Sequence, residues 1–471
     1  MKIACLVLAP LLVSVGYSAP ASVPAPLEEE FAPDVAARGK DTTITWSELD
    51  ALLVVRRARS TEGREALRHL AEVKMLEVLG VETGLAASDE AVETQLRDIE
   101  RQVAASGEHG GLENMLREKR VTLAEFKRLL KLAAVQETLT RRALGLGDAE
   151  RVTGEQQKLW MDDALLQRKY EEFNPPWKDG VVARCAAFTI PEREFLEYLR
   201  LRLSEESLRE DCWQLLAAKR MRARMPDLAP ERLAQAIEEE LQRRRDETRR
   251  DPRYKGATWE SLLATQGILA DRMDQDPGVH IAACSKIWVE RSYDDASLQR
   301  VYKDERELFD GAYGPAVDTS MIFLRAGAFK NDYNPRVFPE AEKALHDLRA
   351  RIRTLDEFKA LAKEQSEDPD SRENSGALGY VTARSPRIPP EILTEVKQAL
   401  ATSASASAAE SMVGPRRVSN GCVLLWFGSR RPAPSWEAMA VYVKSELRRR
   451  FVEEVLPRSA VDGPVFQWSG H

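Results

Sequence analysis

The chain has 471 residues, 43% of them apolar and 31% charged, with 69 Lys+Arg set against 76 Asp+Glu. That length is more than one ordinary domain uses and leaves room for two or three cores. A net charge of −7 excludes a general nucleic-acid binder, and few aromatics among long Glu/Arg/Leu/Ala stretches favour helices.

Residues 1–21 are expected to be an export signal. Lys2 supplies a short positive end, residues 3–15 an apolar core, and Ala19-Pro20-Ala21 a small-x-small site for cleavage after Ala21. This puts the mature chain in the periplasm or another extracytoplasmic compartment. Tethering by an uncleaved signal is the alternative, but the apolar run is short for a span of ~20 residues. No later stretch is apolar enough to cross a bilayer, so no stable transmembrane segment is expected after cleavage. Residues 22–41 read as a linker, Pro/Ala/Glu-rich at its start. Cys185, Cys212, Cys284 and Cys422 show neither CxxC nor metal spacing, and their disulfide state stays open.

Residues 42–180 read as a first helical module. Thr45-x-x-Glu48 is a capping box opening a helix through Leu49, Leu52 and Val55. A second helix starts near Gly63 and carries Leu67, Leu70, Val73 and Leu76. Ser88 caps an acidic helix through Val92, Leu96 and Ile99, and residues 106–111 are a loop. Thr122-x-x-Glu125 and Thr153-x-x-Gln156 open two more helices.

Residues 181–314 read as a second module on the same plan. "TIPEREFLEYL" aligns with "TITWSELDALL", setting Glu194 opposite Glu48. "TWESLLATQGIL" corresponds to "TLAEFKRLLKLAAV", and Asp-Asp-Ala-x-Leu-Gln-Arg-x-Tyr occurs at 162–170 and again at 294–302. The Arg-rich run at 241–253 also holds acids and reads as a solvated helix face.

Residues 315–432 change character. "TSMIFL" (319–324) is a strand; Leu345, Leu348 and Ile352 lie at helical spacing; Thr354-x-x-Glu357 caps a helix through Phe358 and Leu361. "ALGYV" is a second strand, "PPEILTEVKQAL" a helix, "ATSASASAAES" a low-complexity insert and "CVLLWF" (422–427) a final strand. Residues 433–471 are a C-terminal amphipathic helix and tail. The fold class is therefore α+β and mostly helical: two helical modules, a small domain with a sheet flanked by helices, and a C-terminal helix.

Within the small domain, "FKALAKEQSEDPDSRENSGALGY" resembles the centre of a parvulin-type peptidyl-prolyl isomerase domain. The resemblance rests on Phe358, Leu361, Ala362, Ser366, Asp368, Gly376, Leu378, Gly379 and Tyr380. The helical modules resemble, at the level of pattern, the chaperone region of SurA-type exported foldases. Together these imply a periplasmic folding factor. Its partners would be unfolded or extended polypeptides, outer-membrane or secreted proteins among them, and it would need no cofactor or metal.

Prolyl isomerisation breaks no covalent bond; its barrier of ~18–20 kcal/mol is amide resonance. A catalyst needs an apolar slot for the ring and must bind the twisted amide better than either planar form. The resemblance implies two histidines and an Asp or Cys beneath that slot. Here Met321 and Val423 stand at the histidine positions, and Asp368 remains of the polar group. Its implied substrate-binding residues are Met321, Leu378, Ile388, Ile392 and Val423, with Pro386 a candidate for one of the family's apolar pocket positions. His346 is expected at the surface of a helix. The expectation is a polypeptide-binding domain with weak or absent isomerase activity. An active isomerase using Asp368, and an assembly scaffold using the domain to dock one partner, are the alternatives.

Overall fold

The computed structural model describes residues 31–105, 111–118, 121–147, 150–401 and 411–466. The expected export signal, most of the 106–111 loop, the 402–410 part of the low-complexity insert and the last five residues lie outside them. Strands run β1 (Val35–Gly39), β2 (Thr42–Thr45), β3 (Glu171–Glu172), β4 (Val181–Arg184), β5 (Thr189–Pro191), β6 (Ala316–Arg325), β7 (Ala377–Thr382), β8 (Ser411–Val418), β9 (Gly421–Arg431) and β10 (Val461–Asp462). The chain divides into two compact bodies: residues up to Ile287 together with Phe451 onward, and Trp288–Arg450.

In the first body two hairpins share one register. In β1–β2, Val35 faces Thr45; after a bulge, Ala37 faces Ile44 and Arg38 faces Thr43. In β4–β5, Val181 faces Pro191; after the same bulge, Ala183 faces Ile190 and Arg184 faces Thr189. A third strand joins the same edge of each. β3, just upstream, sets Glu171 opposite Arg184. β10, from the far end of the chain, sets Asp462 opposite Arg38. The match continues past the strands: Phe173 N–H donates to Val182 O at 2.8 Å, and Val465 N–H to Ala36 O at 3.2 Å.

A helix follows each hairpin. Thr45 and Glu48 form the expected capping box of Trp46–Arg56. Glu192–Arg202 has Pro191 at the corresponding place and no side-chain cap. The next helix of each repeat packs against the other repeat. Thr61–Thr83 lies along Glu192–Arg202, where Lys74 pairs with Glu194 at 2.7 Å. Glu205–Ala223 lies against β2 and Trp46–Arg56, where Lys219 pairs with Glu48 at 2.8 Å. The aligned glutamates therefore meet lysines from exchanged helices. At the centre, Arg56 donates to Asp276 (2.7 Å), Asp211 (2.8 Å) and Gln214 (2.7 Å).

Helices Asp89–Ala105, Gly111–Glu118 and Leu123–Ala143 close a satellite core around Val92, Leu96, Ile99, Leu112, Phe126 and Leu130. The shared Asp-Asp-Ala-x-Leu-Gln-Arg-x-Tyr stretches part company. At 162–170 the motif finishes the helix Gly154–Gln167, whereas Asp294 caps the start of Asp295–Asp304 by accepting from Ser297 N–H at 2.8 Å. Chain context, not motif, decides whether those residues end a helix or begin one. The Arg-rich run is a solvated face as expected: Arg243 and Arg244 pair with Glu240, and Arg245 with Glu238 and Glu260. All four described cysteines are unpaired.

The second body is built on an antiparallel sheet, β7-β6-β9-β8. Its middle strands are buried on both faces, so they read as continuous apolar runs while side chains still alternate. Ile322, Leu324, Leu424 and Trp426 pack under helices Phe338–Arg351 and Leu355–Gln365 with Leu345, Leu348, Phe358 and Leu361. Met321, Phe323, Val423 and Leu425 face the other way, toward Ile388, Ile392 and Val396. Thr354 and Glu357 make the expected capping box. β8 is a strand not expected from the sequence: Gly414, Pro415 and two arginines interrupt its pattern, and an edge strand tolerates them. A third cluster joins Val289, Leu298 and Phe309 to Met439, Val443 and Leu447.

Candidate functional site

The motif Gly-Ala-Leu-Gly is shaped by close approach of two strands. Gly376 has φ +81°, and a Cβ there would meet the Met321 carbonyl oxygen at 2.7 Å and Ala362 Cβ at 2.6 Å. Its own carbonyl accepts from Met321 N–H at 2.8 Å. Gly379, at φ +72°, sits where β6 and β7 change register. Both glycines take left-handed backbone that side chains disfavour.

The Ser-x-Asp element follows from the same geometry. Ser366 is buried; its Oγ accepts from Phe323 N–H at 3.1 Å. Glu367 N–H donates to Phe323 O at 2.8 Å, and the Glu367 carboxylate takes Arg325 N–H (2.6 Å) and a bidentate Arg336 (2.6 and 2.8 Å). Asp368 then caps the short helix Pro369–Arg372: its Oδ2 accepts from Ser371 N–H at 3.0 Å and from the Ser371 hydroxyl.

These elements border an open cavity of about 620 Å³ on the Met321 face of the sheet. Met321, Phe323, Ala377, Leu378 and Ile388 give it an apolar floor; Pro386, Pro389 and Pro390 form one wall. Asp368, Asp370 and Ser371 come from the capped helix, with Arg387 and Asn420 completing the rim. Apolar and polar groups share this lining, and the volume suits a ligand larger than a single side chain.

The residues singled out from the sequence fall in one place but in two layers. Met321, Leu378, Ile388 and Asp368 line the cavity, as does Pro386. Val423 and Ile392 belong to the same apolar cluster but are fully buried behind the lining. Met321 lies opposite Leu425 and Phe323 opposite Val423, so Met321 and Val423 are diagonal neighbours on one face. Phe323 was missed, although it is two residues from Met321 on one strand and the alternation points to it. Asn420 sits in the β8–β9 turn, and no sequence signal places it there.

No described histidine lines this cavity. His346 is exposed on Phe338–Arg351, as expected. His280 meets Asp274 O at 2.7 Å in the first body. His69 lies there too, stacked on Tyr198 and hydrogen-bonded through Nδ1 to its hydroxyl. Burial, with Arg202 adding to it, pushes the His69 pKa down to about 4. His69 also borders a second, smaller cavity of about 210 Å³, lined by Val73, Leu76, Leu129, Leu132, Ala133 and Met161 with Glu72, Gln136, Gln157 and Lys158 at polar positions.

Among known proteins, residues 333–426 match the rotamase family model, the PPIC-type peptidyl-prolyl isomerase (PPIase) domain. No curated protein matches the chain. Solved structures similar to it include the peptidylprolyl isomerase PrsA of Bacillus anthracis: 15% identity, 53% of this chain and 94% of that one, TM-score 0.28. The foldase PrsA of Streptococcus pneumoniae matches at 16% identity over 59% of this chain and 90% of that one, TM-score 0.26. A Campylobacter jejuni structure described as a SurA-like chaperone matches at 16% identity over 58% and 93%, TM-score 0.22. The family match covers most of the strands and helices that build the larger cavity, and the parvulin resemblance read from the motif falls inside it. This chain carries a parvulin, or PPIC-type, domain of the rotamase family.

Proposed function

We propose that this protein is an exported folding factor that binds extended or unfolded polypeptides. Its parvulin domain would hold prolyl segments in the 620 Å³ cavity and isomerise them slowly or not at all. The observation that carries this reading is the cavity itself: three prolines and an apolar patch of Met321, Phe323, Leu378 and Ile388, and no histidine in its lining. Met321 and Val423 fill the family's histidine positions with packed apolar side chains, so no buried donor is left stranded. Met321, Leu378 and Ile388 would touch the proline ring, while Val423 and Ile392 would support them from behind. The 210 Å³ cavity of the helical body would take an apolar client side chain. Export rests on residues 1–21 read as a signal peptide.

A second reading has support in one observation: Asp368 lines the cavity and spends one carboxylate oxygen, Oδ2, on capping. An isomerase using Asp368 and slot shape alone would follow from it.

NMR exchange spectroscopy on an Ala-Pro peptide mixed with the full chain separates the two. Peptide shifts without faster cis/trans exchange are expected. Acceleration of tenfold or more, lost in Asp368→Ala, would overturn the slow-isomerase reading. Each factor of ten means about 1.4 kcal/mol of preferential binding to the twisted amide. Prevention of aggregation of an unfolded outer-membrane protein tests client binding, and failure to suppress it sinks that part.

A further inference from the structure

The lining of the parvulin cavity carries two carboxylates and one cation. Asp368 and Asp370 stand on the side of helix Pro369–Arg372. The lining also holds three prolines, and Arg387 is its one cation. Arg387 Nη1 donates to Leu378 O at 3.0 Å, which leaves its charge in place, so the two carboxylates outnumber it by one. The neighbouring carboxylates Glu367 and Glu391 are committed, to Arg336 and to Ser419 N–H at 2.9 Å. Asp370 is exposed, and among the described residues its carboxylate takes no hydrogen bond or ion pair. Asp368 keeps Oδ1 free of the Ser371 contacts that hold Oδ2. A bound segment would therefore meet an apolar floor and, beside it, two carboxylates with unspent acceptor capacity.

We propose that this cavity selects prolyl segments with a lysine or arginine next to the proline. The inference rests on the prolyl-binding reading of the same cavity. The ring would sit on Met321, Leu378 and Ile388, and the adjacent cationic side chain would reach along the wall to Asp370 and Asp368. An acidic neighbour would face the same carboxylates and be repelled, so the preference has a repulsive arm as well as an attractive one. Exposed ion pairs are weak, which sets the expected lysine-over-glutamate preference at about 1.4- to fivefold at low salt.

The test titrates five fluorescent pentapeptides into the full chain: Ala-Lys-Pro-Ala-Ala, Ala-Glu-Pro-Ala-Ala, Ala-Ala-Pro-Lys-Ala, Ala-Ala-Pro-Glu-Ala and the common reference Ala-Ala-Pro-Ala-Ala. The expected order is Lys, then Ala, then Glu, in at least one of the two positions. The spread should shrink as salt rises, because the pairs are solvent-exposed. Asp370→Asn should bring the Lys/Glu ratio toward one, and Asp370→Lys should invert it. Binding of the Ala peptide with a Lys/Glu ratio at or below one in both positions overturns the charge preference alone. Failure of every peptide to bind overturns the prolyl-site reading and the preference with it.

Discussion

Single residues settle what the cavity is made of. Gly376 is there because nothing larger fits between the Met321 carbonyl and Ala362, so Gly376→Ala should cost about 1–3 kcal/mol. Urea unfolding would register it, and an unchanged midpoint would mean the strands separate freely. His69 makes a second prediction. Its pKa is depressed from 6.5 to about 4, so the unfolded chain takes up a proton over that interval while the folded chain does not. Stability then rises with pH through this window and falls as pH drops from about 6.5 toward 4, by on the order of 3 kcal/mol. His69→Gln keeps an acceptor for Tyr198 and removes the titration. The drop in melting temperature between pH 7 and pH 5 should shrink by several degrees in the variant. These two residues also mark the limits of sequence reading. The glycine was legible because its motif is short and local. His69 gave no signal, since its environment comes from Tyr198 and Arg202 in another helix.

At the scale of elements, most helices announced themselves. Thr45/Glu48, Thr153/Gln156 and Thr354/Glu357 are capping boxes in the structure as in the sequence, because the cap is a bond between residues three apart. Short strands did not. β1 lies within the stretch read as linker, and β8 hides behind Gly414-Pro415; each owes its place to a partner strand. β10 is the extreme case, two residues completing a sheet begun near the other end of the chain. Val461 and Val465 are buried there, Arg209 Nη1 donates to Val461 O at 3.2 Å, and Trp213 Nε1–H donates to Leu456 O at 2.9 Å. A chain ending at Pro457 should lose on the order of 3 kcal/mol from the two valines alone. Guanidinium unfolding followed by tryptophan fluorescence would measure it, and equal midpoints would show that β10 adds nothing.

At the scale of the whole molecule, the first body depends on segments that are distant in sequence. Arg56 ties the first repeat to Asp211 and Asp276, and Asp211 is fully buried. Arg56→Met leaves that carboxylate without its main partner and should cost about 3–5 kcal/mol. Arg56→Met combined with Asp211→Leu should recover part of the loss, because two apolar groups pack where one stranded charge cannot. A double variant as unstable as the single one would show that the node acts by shape, not charge. The exchanged helices have the same logic: Glu48 and Glu194 align in sequence, yet Lys219 and Lys74 reach them from the opposite repeats.

By itself the sequence determined the helical grammar, the resemblance of two segments to one another, and the parvulin motif. All of these are carried by residues a few positions apart or by side-chain identity at fixed places in a motif. Only the tertiary structure decided that Val423 and Ile392 stand behind the cavity wall and not in it, and that Asp368 spends one oxygen on a helix cap. It alone showed that Asp370 keeps its carboxylate open beside the cavity, and that the chain's end returns to complete its first sheet. Burial, free lone pairs and strand partners are properties of what lies across space, and a linear chain does not record its neighbours across space.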